Sequence, residues 1–168
     1  QFVGRKRVSY VRLNGTVTSN ITIPKGIYLS AGITVQEGKT LTVNPGVVIL
    51  FSSGGLALSG TLDAYGTEEE KIIFTSEYDD IYWDVTGLKG TSYWNGISMQ
   101  STGEYNANYN VLRYAKNAVV IRNIANIYNS DFINSRDYAV YVDSVVVPVI
   151  NYCMFNNNAI AVHNSWED

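Results

Sequence analysis

The sequence predicts an all-β chain wound as a parallel β-helix, and three observations carry that expectation. One short phrase recurs as Asn117-Ala118-Val119-Val120-Ile121, Tyr138-Ala139-Val140-Tyr141-Val142 and Asn158-Ala159-Ile160-Ala161-Val162, its alanines 21 and 20 residues apart. A repeat of roughly 20 residues is that of a solenoid. Each phrase alternates β-branched and aromatic residues over a few positions, which is a strand pattern and not a helical one. Asn, Ser and Asp bound the phrases and supply the corner conformations that branched residues resist.

Side chains alternate along a strand, so Val119, Ile121, Val140, Val142, Ile160 and Val162 are expected to point inward, with Val120, Tyr141 and Ala161 outward. Tyr114, Phe132 and Phe155 precede the three phrases, and Ile127 and Ile150 lie five residues before the last two aromatics. The residues that follow the phrases, Arg122, Asp143 and His163, are expected to form one outward column, read as a charge ladder. Asn123, Ser144 and Asn164 would form the next.

The earlier elements are less regular. Residues 1–30 do not fit the coil pattern and read as an N-terminal cap or a strand-exchange segment, because a solenoid end has core and strand edges to cover. From Ile33 to Ser76 strands and turns alternate quickly, with Leu41, Val43, Val47, Ile49, Phe51, Leu56, Leu58, Leu62, Ala64, Ile72 and Phe74 as inward residues. A long aromatic and acidic loop, 77–93, is inserted next, and between Ser76 and Asn110 only Trp94–Met99 reads as a coil strand. Regular coils then run to the C-terminus, where nothing resembles a cap, so the expectation is either a chain cut from a longer protein or a C-terminal coil that docks onto another subunit. The chain is expected to be one domain, with residues 31–168 as the solenoid.

Ile33-Thr34-Val35-Gln36-Glu37-Gly38-Lys39-Thr40-Leu41-Thr42-Val43-Asn44-Pro45-Gly46-Val47-Val48-Ile49-Leu50-Phe51 resembles the opening coils of the right-handed parallel β-helix repeat proteins, a group of secreted and surface-exposed proteins. Leu56 to Thr67, Ile72 to Ser76 and Trp94 to Ile97 are similar to that group as well. The resemblance implies a right-handed β-helix. It does not imply one activity, since the same scaffold carries lyases, hydrolases, adhesins and structural proteins.

Composition narrows the classes. A formal charge of -3 argues against a nucleic-acid footprint, and no apolar run is long enough to span a bilayer. The single cysteine, Cys153, excludes an internal disulfide, and the single histidine leaves no histidine-rich metal site. Low charge with abundant Tyr, Thr, Asn, Ser and Gly favours an extracellular or cell-surface setting. Starting at Gln1, the chain reads as a processed or excised product.

The inserted loop holds the strongest candidate contact residues: Tyr78, Tyr82, Trp83, Tyr93, Trp94, Tyr105 and Tyr109. Flat rings with polar edges suit sugar faces or a protein partner. Asp79, Asp80 and Asp84 could accept hydroxyl hydrogen bonds or hold Ca²⁺, although they lack the spacing of a calcium loop. Alternatively, Tyr82, Trp83 and Trp94 fold the loop back over the coils as a satellite core. No catalytic set emerges, and no cofactor is required beyond the Ca²⁺ option. The expected function is a non-enzymatic adhesion or self-assembly module that associates through its coil ends into a filament or surface layer. A polysaccharide-active enzyme fragment and a carbohydrate-binding module are the alternatives.

Overall fold

A computed structural model describes residues 10–79, 81 and 92–166. Among these residues, twenty short strands build three parallel sheets of seven, seven and six strands, with no helix. Consecutive strands join consecutive sheets, so sheet A holds the first, fourth and seventh strands, sheet B the second, fifth and eighth, and sheet C the third, sixth and ninth. Three strands make one coil, and the coils stack into a β-solenoid of about 6 turns. The coils cover 11–23, 27–43, 48–65, 72–108, 110–128 and 131–151, and two further strands at 154–164 begin a seventh.

Inward residues of successive coils stand directly above one another. Sheet B carries Ile33, Leu56, Ile97, Val119, Val140 and Val162 in one column. Sheet A carries Tyr28, Ile49, Phe74, Leu112, Phe132 and Phe155. Every expected inward residue from Leu41 to Phe74 is buried, and they join one continuous core. Full burial of such a side chain contributes about 1.5–3 kcal/mol, and each is held by the coil above and the coil below.

The corners need special backbone. Tyr109, Asn129 and Tyr152 at the turn from sheet C to sheet A, and Tyr114, Asn134 and Asn157 at the turn from A to B, all have φ between 49° and 58°. Asn fits this left-handed conformation better than other side chains. Its amides also bond along the stack: Asn129 Nδ2 donates to Asn108 Oδ1 at 2.8 Å and Asn157 Nδ2 to Asn134 Oδ1 at 2.7 Å. Gly96 (φ 85°) has no room for a side chain, because a Cβ there would collide with the Asn117 carbonyl.

The structure departs from the sequence pattern in four places. The stack starts earlier: strands within 11–23 pair in parallel with those of the next coil, as in Val17 opposite Val35 and Ile23 opposite Val43. Asn14 and Asn20 help by accepting the backbone N–H groups of Ala31 (2.6 Å) and Thr40 (3.0 Å). Residues 1–9 of the expected cap lie outside the described residues. Second, Glu104–Asn108 is a full coil strand, paired on both edges. Third, Leu112, and not Tyr114, occupies the aromatic column opposite Phe132. Fourth, the last phrase is shifted by two residues, so that Val162 faces Val140 and His163 faces Tyr141. A two-residue shift preserves the face of each side chain, which is why Val162 still faces inward beneath Val140 and His163 outward beneath Tyr141.

Candidate functional site

Three regions combine exposed or unusual chemistry: the root of the inserted loop, the outer face of sheet B, and the open end of the last coil. At the loop root, Asp79 is fully buried on the outer side of sheet A. Its carboxylate accepts Thr75 Oγ1 at 2.7 Å, Arg113 Nε at 2.6 Å, Arg113 Nη2 at 3.1 Å and the Ile81 N–H at 3.1 Å. Thr75 and its strand neighbour Leu50 point outward, yet both are completely buried beside it. Asp79 is thus an anchor that pins the chain leaving Ser76 onto the coil stack.

That geometry alters the reading of Asp79 as a cation ligand. Four donors already fill its oxygens, and a metal would have to displace a two-point guanidinium contact. Asp80, Asp84, Tyr82 and Trp83 lie outside the described residues. Among the described residues, no group of three or more His, Cys, Asp and Glu side chains stands close enough to hold a metal ion.

The expected contact aromatics separate into two groups. Trp94 and Tyr105 are core residues, which removes them from any surface. Trp94 stacks on Phe51 with ring centroids 4.4 Å apart and 7° between planes, and its indole N–H donates to the Arg113 carbonyl at 2.7 Å. Tyr105 points inward from sheet C and its hydroxyl meets the Asn110 side-chain amide at 2.7 Å. In this arrangement the Asn110 carbonyl accepts the phenol proton, while its amino group donates to the carbonyls of Ala64 at 3.0 Å and Asn108 at 3.2 Å. Burial holds the Tyr105 phenol far above the ordinary tyrosine range. Tyr78, Tyr93 and Tyr109 remain partly exposed. The Glu77 carboxylate raises the Tyr78 phenol, and Tyr93 leans on Tyr114 at 6.5 Å. Arg113 stands over the Tyr114 ring at 5.4 Å.

On sheet B, the expected column of Arg122, Asp143 and His163 is only half assembled. Arg122 Nε donates to Asp143 Oδ2 at 3.1 Å, but the two-residue shift puts Ser165 next in line, with its N–H on the Val142 carbonyl at 3.0 Å. His163 instead packs against the rings of Tyr138 and Tyr141 at 5.3 and 5.2 Å.

The third region is the last coil. Val162 is 48% exposed, whereas Val140 directly above it is completely buried. Ile160, Met154 and Trp166 are exposed as well, and so are Val145, Val147 and Val149 at the neighbouring corner. From Ser144 to Trp166 there is no Asp, Glu, Lys or Arg. Exposed strand edges are normally protected by such charges. Sequence reading expected an uncapped end but missed this charge-free run, which composition alone could have revealed.

No protein family, curated protein or solved structure matches this chain. No helix is long and apolar enough to cross a membrane, a statement limited to the described residues. The site must therefore be read from its own chemistry.

Proposed function

We propose that the chain is a non-enzymatic structural module of the extracellular or cell-surface kind, a right-handed β-helix that associates with a second copy through its open last coil. The observation that carries this reading is Val162 at 48% exposure beneath a buried Val140, within a run free of formal charge. Apolar core and unpaired backbone N–H and C=O groups meet at one end, where both gain from being covered.

The first coil is partly open as well: its inward residues Val17 and Ile23 are buried, but Val11, opposite Tyr28, and Ile21, opposite Leu41, are 62% and 37% exposed. Contact of first coil against last coil propagates into a filament, whereas contact of last coil against last coil closes at a dimer. Four acids are held in ion pairs, which supports a structural role for them: Asp131 with Lys71, Asp143 with Arg122, Asp137 with Arg136 and Asp79 with Arg113. The surface setting rests on the low charge and on the resemblance to secreted solenoids.

Light scattering with negative-stain microscopy tests the reading. The expected result is association of chains along the coil axis. Fibres would identify a head-to-tail contact and a closed dimer a two-fold one, and a monomer at every concentration would remove self-association altogether.

A further inference from the structure

One edge of the solenoid carries a row of tyrosines that packing does not explain. Tyr65, Asn108, Tyr128 and Asn151 occupy one register position at the end of sheet C in four successive coils. The next residue in each coil is Gly66, Tyr109, Asn129 and Tyr152. Each coil thus presents one tyrosine, alternately in the first and second column, and the rise is about 4.8 Å per coil. Tyr65 and Tyr128, two coils apart in the same column, are separated along the axis by about 10 Å. Tyr152 is 86% exposed and Tyr65 51%.

Two observations set this row apart. Tyr109 (φ 50°) and Tyr152 (φ 55°) are held in left-handed backbone, which tyrosine tolerates poorly and which Asn129 fills in the coil between them. Tyr114 shares this backbone (φ 52°), but its ring is packed by Tyr93 and Arg113, whereas Tyr152 is 86% exposed, and strain at an exposed side chain points to a use outside the fold. The second concerns the hydroxyls. Tyr28 and Tyr105, which serve the core, pair theirs with the Pro24 carbonyl and Asn110. None of the four row tyrosines makes a side-chain hydrogen bond among the described residues.

Beside the row, on the outer face of sheet C, runs a polarised polar ladder. Asn126 Nδ2 donates to Asn106 Oδ1 at 3.0 Å, and Asn106 Nδ2 donates to both Asp63 Oδ1 at 2.9 Å and Glu104 Oε1 at 3.0 Å. Among the described residues, Asp63 Oδ2 and Glu104 Oε2 have no hydrogen-bond partner, so each can accept a hydroxyl. We infer that this edge binds a neutral linear glycan lying along the coil axis. Ring faces stack on sugar rings, the ladder takes up hydroxyls, and a repeat of about 10 Å between like tyrosines matches a chain of disaccharide length per step. A uronan is disfavoured because Asp63 and Glu104 repel its carboxylates. A proline-rich peptide, which also stacks on aromatics, needs a groove and has no use for the ladder.

Native affinity electrophoresis of the full chain tests the assignment, with hydroxyethyl cellulose, amylose, polygalacturonate and poly-L-proline as probes. Retardation by a neutral glycan is expected. The Tyr65→Ala/Tyr128→Ala double variant should weaken it at least tenfold, and so should Tyr109→Asn/Tyr152→Asn. The Asn pair should keep or raise Tm, since Asn suits the left-handed corner, so loss of binding cannot be loss of fold. Retardation by no probe, or by polygalacturonate or polyproline alone, would overturn the inference. So would unchanged binding in either double variant, or a lower Tm in the Asn pair.

Discussion

The two ends of the solenoid share one architecture and cover their inward faces to different extents. At the first coil, Val17 and Ile23 are 7% and 3% exposed, while Val11 and Ile21 are 62% and 37% exposed. At the last, Val162 is 48% exposed at the inward position beneath the fully buried Val140. The repeat alone therefore does not decide whether a coil is buried; its neighbour does. Each coil of a solenoid contacts only the coils beside it, so stability is passed from neighbour to neighbour and is lowest where the inward face is exposed.

The largest effects should come from the covered part. Arg113→Met would leave the Asp79 carboxylate buried with its main partner gone, a loss of about 3–5 kcal/mol, measured by urea denaturation. A matched pair sharpens the contrast between the ends. Ile23→Ala should cost about 2–5 kcal/mol, whereas Ile160→Ala in dilute, unassociated protein should cost roughly 1 kcal/mol or less, because much of its side chain already meets water. Equal losses would mean that the last coil is covered within the monomer.

Smaller still is the surface pair of Arg136 and Asp137. The Arg136 hydrogen bond lowers the Asp137 carboxyl below its ordinary 3.8. A carboxyl that is more acidic when folded stabilises the protein above the unfolded value and loses that contribution as pH falls through the folded one. Nearly half of each side chain is exposed, so solvent screens the effect and keeps it small. Tm profiles of Asp137→Asn and the parent should separate slightly above pH 4 and converge as pH falls through the lowered range of the Asp137 carboxyl.

Much of this fold was legible from periodicity, because inward Val, Ile, Leu and Phe from Leu41 to Phe74 repeat at strand spacing. What escaped was less apolar. Val17 and Ile21 are separated by Thr, Ser and Asn, so the first coil did not look like one. Tyr105 and Ala107 gave Glu104–Asn108 too polar a pattern, and the partner that allows a tyrosine inside, Asn110, is a polar residue that a hydrophobic pattern passes over. The two-residue shift of the last phrase was invisible because both registers put the same faces inward. At the candidate sites, the link between Asp79 and Arg113 spans 34 residues and leaves no local signal. The tyrosine row appears only once four coils are placed in register.

Hydrogen–deuterium exchange of residues 154–164, followed over a range of protein concentrations, tests the open-end account most directly. The account predicts fast exchange in dilute protein, with protection rising as copies associate while coils 27–65 and 110–128 stay protected throughout. Exchange at 154–164 that does not change across an association step, or that is already slow in the monomer, would contradict it.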